Sequence, residues 1–230
     1  MQEIESGSTY HQETFAGAQL QRADLRDCTF THCDFAGCNL RSADLTGSRF
    51  SHCQFNDTES GQPADMSQAD LRDVQFNHCN LTVVEFSRCR GYGLQFDHCQ
   101  MQGADLSRSD FRLPVGDSDL VSLQITHCNL AYANLANNYL PTSEISHCRM
   151  TEVCMDYCDL TDATLLHNNM PNLSAVGVTL RGADLRGSNF NNIHPAQIDL
   201  SGVRLYPTQL LYLAETIGLA VESEPDKDSF

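Results

Sequence analysis

The chain has 230 residues, with 30 Asp and Glu against 14 Lys and Arg and a formal net charge of −16. That length is enough for one well-buried domain or two small ones. The charge argues against a surface built to hold nucleic acid, which needs clustered cations.

Residues 1–9 carry Glu3 and Glu5 with no basic or apolar run, and read as a flexible N-terminus without a signal peptide. The longest apolar run, Leu210 to Ala214, is far too short to span a bilayer. A cytoplasmic protein with no membrane partner is expected. Thiols stay reduced in that compartment, so the 11 cysteines need an explanation other than disulfides.

From Phe15 an apolar residue falls on every fifth position: Phe15, Leu20, Leu25, Phe30, Phe35, Leu40, Leu45, Phe50, Phe55. The series resumes from Met66 to Phe86, passes Gly91, and continues from Phe96 to Phe111. It returns at Leu120 and runs to Leu205, with Pro195 at one of its positions. Neither a helical nor an alternating-strand period explains this spacing. Two residues before most of these positions sits a second small or apolar residue, and ten of the 11 cysteines fall in that slot, the exception being Cys154. The slot selects Cys as a small buried hydrophobe.

Two inward positions in five describe a chain that turns a corner once per repeat. His-Cys dipeptides pair at a separation of 20: His32-Cys33 with His52-Cys53, His78-Cys79 with His98-Cys99, His127-Cys128 with His147-Cys148. Four repeats therefore make one square coil, with Leu120, Leu140, Leu160, Leu180 and Leu200 stacked on one face. Coils stacked like parallel strands, ~4.8 Å apart, give a rod of about nine turns and roughly 45 Å. Each coil buries its apolar pair only against its neighbours, so the ends need caps.

Two segments break the period. Residues 56–65 and 112–119 each contain Gly and Pro and are expected to leave the coil as loops. In the second, Leu113, Pro114 and Val115 stand beside Arg112, a composition suited to a protein-binding anchor. After Leu205, Pro207 and Gly218 bracket a helix whose Leu210, Leu213, Ala214 and Ile217 share one face. Residues 206–221 are therefore expected to cap the rod and to form a homodimer interface, and 222–230 a disordered acidic tail.

The runs Ala23-Asp24-Leu25-Arg26, Ala69-Asp70-Leu71-Arg72, Gly103-Ala104-Asp105-Leu106 and Gly182-Ala183-Asp184-Leu185-Arg186 resemble the A(D/N)LXX pattern of pentapeptide repeat proteins. That resemblance implies an all-β fold, a right-handed quadrilateral β-helix, over residues 10–205. Nine N-terminal repeats, a loop after Phe55, a second near residue 112 and a terminal helix are similar to the quinolone-resistance (Qnr) proteins. This resemblance implies a homodimer that binds DNA gyrase and topoisomerase IV and protects them from fluoroquinolones. It also implies two partner-contacting loops. The first comprises Asp57, Thr58, Glu59, Ser60, Gly61, Gln62, Pro63 and Ala64. The second comprises Arg112, Leu113, Pro114, Val115, Gly116, Asp117, Ser118 and Asp119.

Between Tyr10 and Leu205 there are 23 acids and 13 Arg. Duplex DNA carries ~26 charges over a rod of this length, so the acids approach its density while the net charge does not. DNA mimicry requires that Arg stand apart from one acidic face. Stacks such as Asp24 with Asp44, and Asp119 with Asp159 and Asp199, would supply such a face. A scaffolding solenoid without a topoisomerase partner, its charge serving solubility, is the alternative. Neighbouring residues of a strand point to opposite sides, so a His-Cys dipeptide is a poor chelate, and no CxxC or HExxH spacing exists. No metal, cofactor or direct nucleic-acid contact is expected. The absence of a phosphate loop, a nucleophile elbow or a confined carboxylate pair argues against an enzyme.

Overall fold

The computed structural model describes residues 4–57, 61–116, 118–191 and 193–222. Parallel pairings such as Asp24 with Asp44, Asp34 with Gln54 and Asp159 with Thr179 close one winding every twenty residues. Each corner is made by the residue two places after an inward one, which takes a left-handed backbone. Among the described residues, twenty-three non-glycine positions, Val83 and Thr142 among them, hold φ between 52° and 63°. Such a conformation costs an L-residue about 1–2 kcal/mol, so the stacked coils must offset it. They do so partly through backbone bonds to both neighbours: Asp44 N–H donates to the Ala23 carbonyl at 3.0 Å and Leu45 N–H to the Asp70 carbonyl at 2.9 Å.

One side of the rod is a seven-stranded parallel sheet in chain order. Its strands are Thr9–His11, Thr29–Thr31, Arg49–Ser51, Gln75–Asn77, Leu94–Asp97, Leu123–Thr126 and Glu144–Ser146. Winding thus begins inside the segment expected to be flexible: Thr9 pairs with Thr29, and Gly7 N–H donates to the Arg26 carbonyl at 2.8 Å. Tyr10 belongs to the inward series although it precedes Phe15.

The interior is a stack of rings. Tyr10, Phe30, Phe50, Phe76 and Phe96 lie face to face at 4.9–5.2 Å between centroids. Phe15, Phe35 and Phe55 form a second stack at 4.9–5.0 Å and meet the first edge-on. Both geometries suit the aromatic quadrupole. From Ile125 to Met170 the inward residues are Ile, Leu and Met, buried for example at Ile125, Leu130, Leu140 and Met150, and a ring returns at Phe190.

The two breaks leave the winding intact. Phe50 pairs with Phe76, twenty-six residues on, and Phe96 pairs with Ile125, twenty-nine residues on. The chain ejects six extra residues at the first break and nine at the second, then resumes its register. Leu120 therefore does not stack beneath Leu140: it lies in the second excursion and is 49% exposed. Phe111, twenty-nine residues before Leu140, takes that place. Its ring also explains Gly91, since a Cβ there would lie 2.9 Å from Phe111 Cδ1 and Cε1.

The cysteines form a longer column than their spacing suggests. With the inserted residues removed, Cys33, Cys53, Cys79, Cys99, Cys128 and Cys148 succeed one another on one corner, and Asn168 and Ser188 continue the series. Cys99 N–H donates to Cys128 Sγ at 3.3 Å, and Cys148 N–H to Asn168 Oδ1 at 2.8 Å. All 11 cysteines are free thiols, and only Cys154 is partly exposed. Burial pushes the Cys38 and Cys89 thiols up to about 12 and those of Cys148 and Cys158 up to about 11.

The winding loosens at Pro195. Gln197 N–H closes a turn on the His194 carbonyl, and Ile193 and Ile198, two places before Pro195 and Leu200, fill the core. The α-helix Pro207–Thr216 then docks on the last coil. Gln209 holds it there: its Nε2 donates to the Leu185 and Ser188 carbonyls at 2.7 Å, and its Oε1 accepts from Tyr206 N–H at 2.8 Å. The expected apolar face is split. Leu213 is buried against the rod and Ala214 is half-buried, whereas Leu210 and Ile217 are 60% and 50% exposed. Beyond Glu222 the expected acidic tail lies outside the described residues, as do residues 1–3.

Two outcomes follow from this core. Thiol titration of the native protein should label Cys154 alone within minutes and all 11 cysteines after denaturation. Gly91→Leu should destabilise by about 1–3 kcal/mol through overpacking against Phe111, read from the urea midpoint, and Gly91→Leu combined with Phe111→Ala should recover part of the loss.

Candidate functional site

The first excursion is a short antiparallel hairpin pairing Asn56 with Pro63 and Asp57 with Gln62. Thr58, Glu59 and Ser60 lie outside the described residues, and Gly61 re-enters with φ 64°. Gln62 is already on the rod, because its carbonyl accepts Gly37 N–H at 2.9 Å. Ala64 belongs to the core: it is buried, and its N–H closes the corner on the Phe55 carbonyl at 2.7 Å. The ejected residues are therefore 56–61. Beside them Asp34, Gln54, Asn56, Asp57 and Asn80 line a shallow groove.

The second excursion is a longer ribbon, Arg112–Val115 against Ser118–Val121, turning at Gly116. Asp117 and the side chain of Ser118 lie outside the described residues. Leu113 pairs with Leu120, and Val115 lies two residues from Leu113, so all three share one ribbon face. Val115 is 50% exposed and Leu113 half-buried. At the base, Arg112 Nε donates to Asp110 Oδ1 at 2.8 Å, and its Nη1 lies 3.7 Å from Asp119. The apolar trio with its flanking ion pairs is held away from the rod by the hairpin's own ladder.

The charges sort into columns. The residue before each inward one points outward, and in one column Asp24, Asp44, Asp70, Arg90 and Asp110 succeed one another. Asp119, assigned by its spacing to a stack with Asp159 and Asp199, sits instead in the ribbon opposite Pro114. Arg two places after each of three of these Asp residues neutralises the column. Arg26 grips Asp24 through Nε at 2.8 Å and Nη2 at 2.6 Å, and Arg72 grips Asp70 at 2.7 Å through both nitrogens. In the neighbouring column Asp65 pairs with Glu85 and Glu85 with Asp105. These three form no ion pair among the described residues; each accepts the backbone N–H of the serine two places on, at 2.8–2.9 Å. The acidic column without ion pairs is thus Asp65–Glu85–Asp105, with Arg88 and Arg108 at the corner three places on, and the expected Asp24–Asp44 stack is the compensated one.

The same geometry explains the Asp or Asn of the repeat motif. Its side-chain oxygen accepts the N–H of the residue two places later, as Asp34 does from Ala36 at 2.9 Å and Asn134 from Ala136 at 3.0 Å. A short acceptor there fixes the approach to each corner.

The histidines do not form three separate pairs but one ladder along a corner of the rod. His32, His52, His78, His98, His127, His147 and His167 succeed one another at 4.6–5.1 Å between ring centroids, and His11 meets His32 edge-on at 5.8 Å. The two hairpins lengthen the sequence separation at two steps and hide the continuity.

The pentapeptide repeats family model matches eight copies of the repeat over residues 14–58 and 179–210. Among solved structures, the chain is similar to full-length QnrB1, a plasmid-mediated fluoroquinolone resistance protein. The identity is 27% and the TM-score 0.80, over 92% of this chain and all of that one. A trypsin-treated variant of QnrB1 matches at 28% identity and a TM-score of 0.76, over 94% and 99% of the two chains. The chain carries pentapeptide repeats and is similar in structure to QnrB1 along nearly its whole length. No curated protein sequence matches it. No helix among the described residues is long and apolar enough to cross a membrane.

The Asp-x-Arg pair recurs at one position of the repeat, and Asp184 is its buried instance. Its carboxyl is only 3% exposed and is gripped by Arg186 at 2.7 Å and Arg204 at 3.2 Å. The hydrogen bond from Arg186 outweighs desolvation and holds the carboxyl below the usual carboxylate range. Its stabilising contribution is therefore complete above the unfolded-state value of ~3.9 and is lost as pH falls through the lower folded-state value. Unfolding midpoints should fall steeply below about pH 4, and Asp184→Asn should flatten that part of the profile while lowering the midpoint at pH 7.

Proposed function

We propose that this chain is a non-catalytic, dimeric protector of bacterial type II topoisomerases, DNA gyrase and topoisomerase IV, against fluoroquinolones. The observation that carries the reading is the full-length correspondence with QnrB1 at a TM-score of 0.80. Three features of the chain support it. The rod bears a column of acids without ion pairs that a DNA-binding surface would attract. The ribbon 112–121 presents Leu113, Val115 and Leu120 beside an Arg, as a protein-binding anchor does. The terminal helix exposes Leu210 and Ile217, joined by Leu211, Leu219 and Val221, and a self-complementary apolar patch at one end of a rod closes into a two-fold dimer.

In this reading the regular faces dock and the hairpins act on the drug-stabilised complex. The register identifies clean excisions. Removing 56–61 joins Phe55 to Gln62, and removing 112–120 joins Phe111 to Val121, each restoring a twenty-residue winding. Both variants should fold and remain dimeric. In a gyrase supercoiling assay with ciprofloxacin, the parent should restore activity and the excised variants should not. Undiminished protection by both excised forms removes the role of the hairpins, and a parent that neither binds gyrase nor rescues it leaves a scaffold as the better description. Asp65→Asn, Glu85→Gln and Asp105→Asn together should weaken gyrase binding more at low than at moderate salt, since exposed charge is screened over ~8–10 Å.

A further inference from the structure

The histidine ladder runs beside a second column. Thr31, Ser51, Asn77, Asp97, Thr126 and Ser146 are register partners that immediately precede its imidazoles. Asp97 is the one acid among these six, and it changes the chemistry of the ladder at that level. Its Oδ2 lies 2.9 Å from His98 Nδ1 and its Oδ1 3.3 Å from His127 Nδ1. His98 and His127 are also the tightest step of the ladder, at 4.6 Å between centroids.

We infer that Asp97, His98 and His127 form a surface site for one divalent transition-metal ion of the zinc class. One potential ligand atom from each residue lies within 4.8 Å of the other two. Metal–nitrogen and metal–oxygen bonds of about 2.0–2.2 Å need these atoms drawn slightly closer. The side chains are free to do so, being 39–49% exposed, and the same exposure lets water complete the coordination shell. Two imidazoles and one carboxylate suit zinc, cobalt, nickel or copper; calcium and magnesium prefer oxygen sets.

Two further contacts give the carboxylate the support that metal ligands have. Thr126 Oγ1 donates to Asp97 Oδ1 at 2.8 Å and Asn77 Nδ2 donates to Oδ2 at 3.4 Å. These partners stand on the strands either side of Asp97, so the ligand is oriented by both neighbouring coils. The ligands also straddle the ribbon in sequence, His98 before residues 112–121 and His127 after them. A bound ion would pin the two coils between which the ribbon leaves the rod.

Calorimetric titration with Zn2+ should show one site on the parent. Asp97→Asn or His127→Ala should weaken it at least tenfold, while His32→Ala, lower on the ladder, should leave it unchanged. Zn2+ should raise the thermal midpoint of the parent but not that of Asp97→Asn. Co2+ should give a visible spectrum without thiolate charge-transfer bands. Equal affinity across the parent, Asp97→Asn and His127→Ala would overturn the assignment, as would equal loss in His32→Ala or a cobalt–thiolate signature. All three substituted side chains are exposed, and circular dichroism without metal verifies folding; should His127→Ala fail that check, His127→Gln replaces it.

Discussion

Everything in this molecule depends on closing a winding in twenty residues. A left-handed corner at each repeat is unfavourable for most side chains, and twenty-three non-glycine residues among those described adopt one. No single coil can offset that cost. Stacking does: each coil gives and receives backbone hydrogen bonds, and each inward ring lies about 5 Å from the ring above and below. The rod is therefore cooperative along its axis, as expected of an architecture in which every unit contacts only its neighbours.

The same stacking turns a short motif into a surface pattern. Because outward residues succeed one another at coil spacing, any preference at one repeat position becomes a column. An Asp followed two places later by Arg neutralises one column, whereas an Asp or Glu followed by Ser leaves the next uncompensated. Net charge along the chain does not predict which face is acidic; the residue two places downstream does. The hairpins interrupt this pattern at two corners, and there the surface turns from repeated polar columns to an irregular, partly apolar ribbon.

Much of the fold was legible because its period is local. The five-residue series, the cysteine slot and the twenty-residue coil depend on neighbours and on unbroken stretches. What stayed hidden needed the register across the breaks. The His and Cys pairs read as separate units because offsets of 26 and 29 residues interrupt the spacing. Leu120 matched the period by coincidence while the chain was away from the rod, and Phe111 held the position it seemed to fill. Helical spacing placed Leu210, Leu213, Ala214 and Ile217 together, yet docking through Gln209 turned Leu213 inward and left Leu210 and Ile217 outside. Of the first loop, Ala64 proved to be a core residue, a distinction that depends on where the corner hydrogen bond closes.

The way each hairpin rejoins the rod separates shape from cargo. Ala64 N–H meets the Phe55 carbonyl in the corner bond of uninterrupted repeats, and Ser122 N–H meets the Phe111 carbonyl as the last rung of the ribbon's ladder, so each excursion starts and finishes at neighbouring points of the rod. The entropy of closing such a loop grows only slowly with its length. These two corners are consequently grafting ports, where foreign peptides of quite different size can be displayed on an otherwise unaltered shaft.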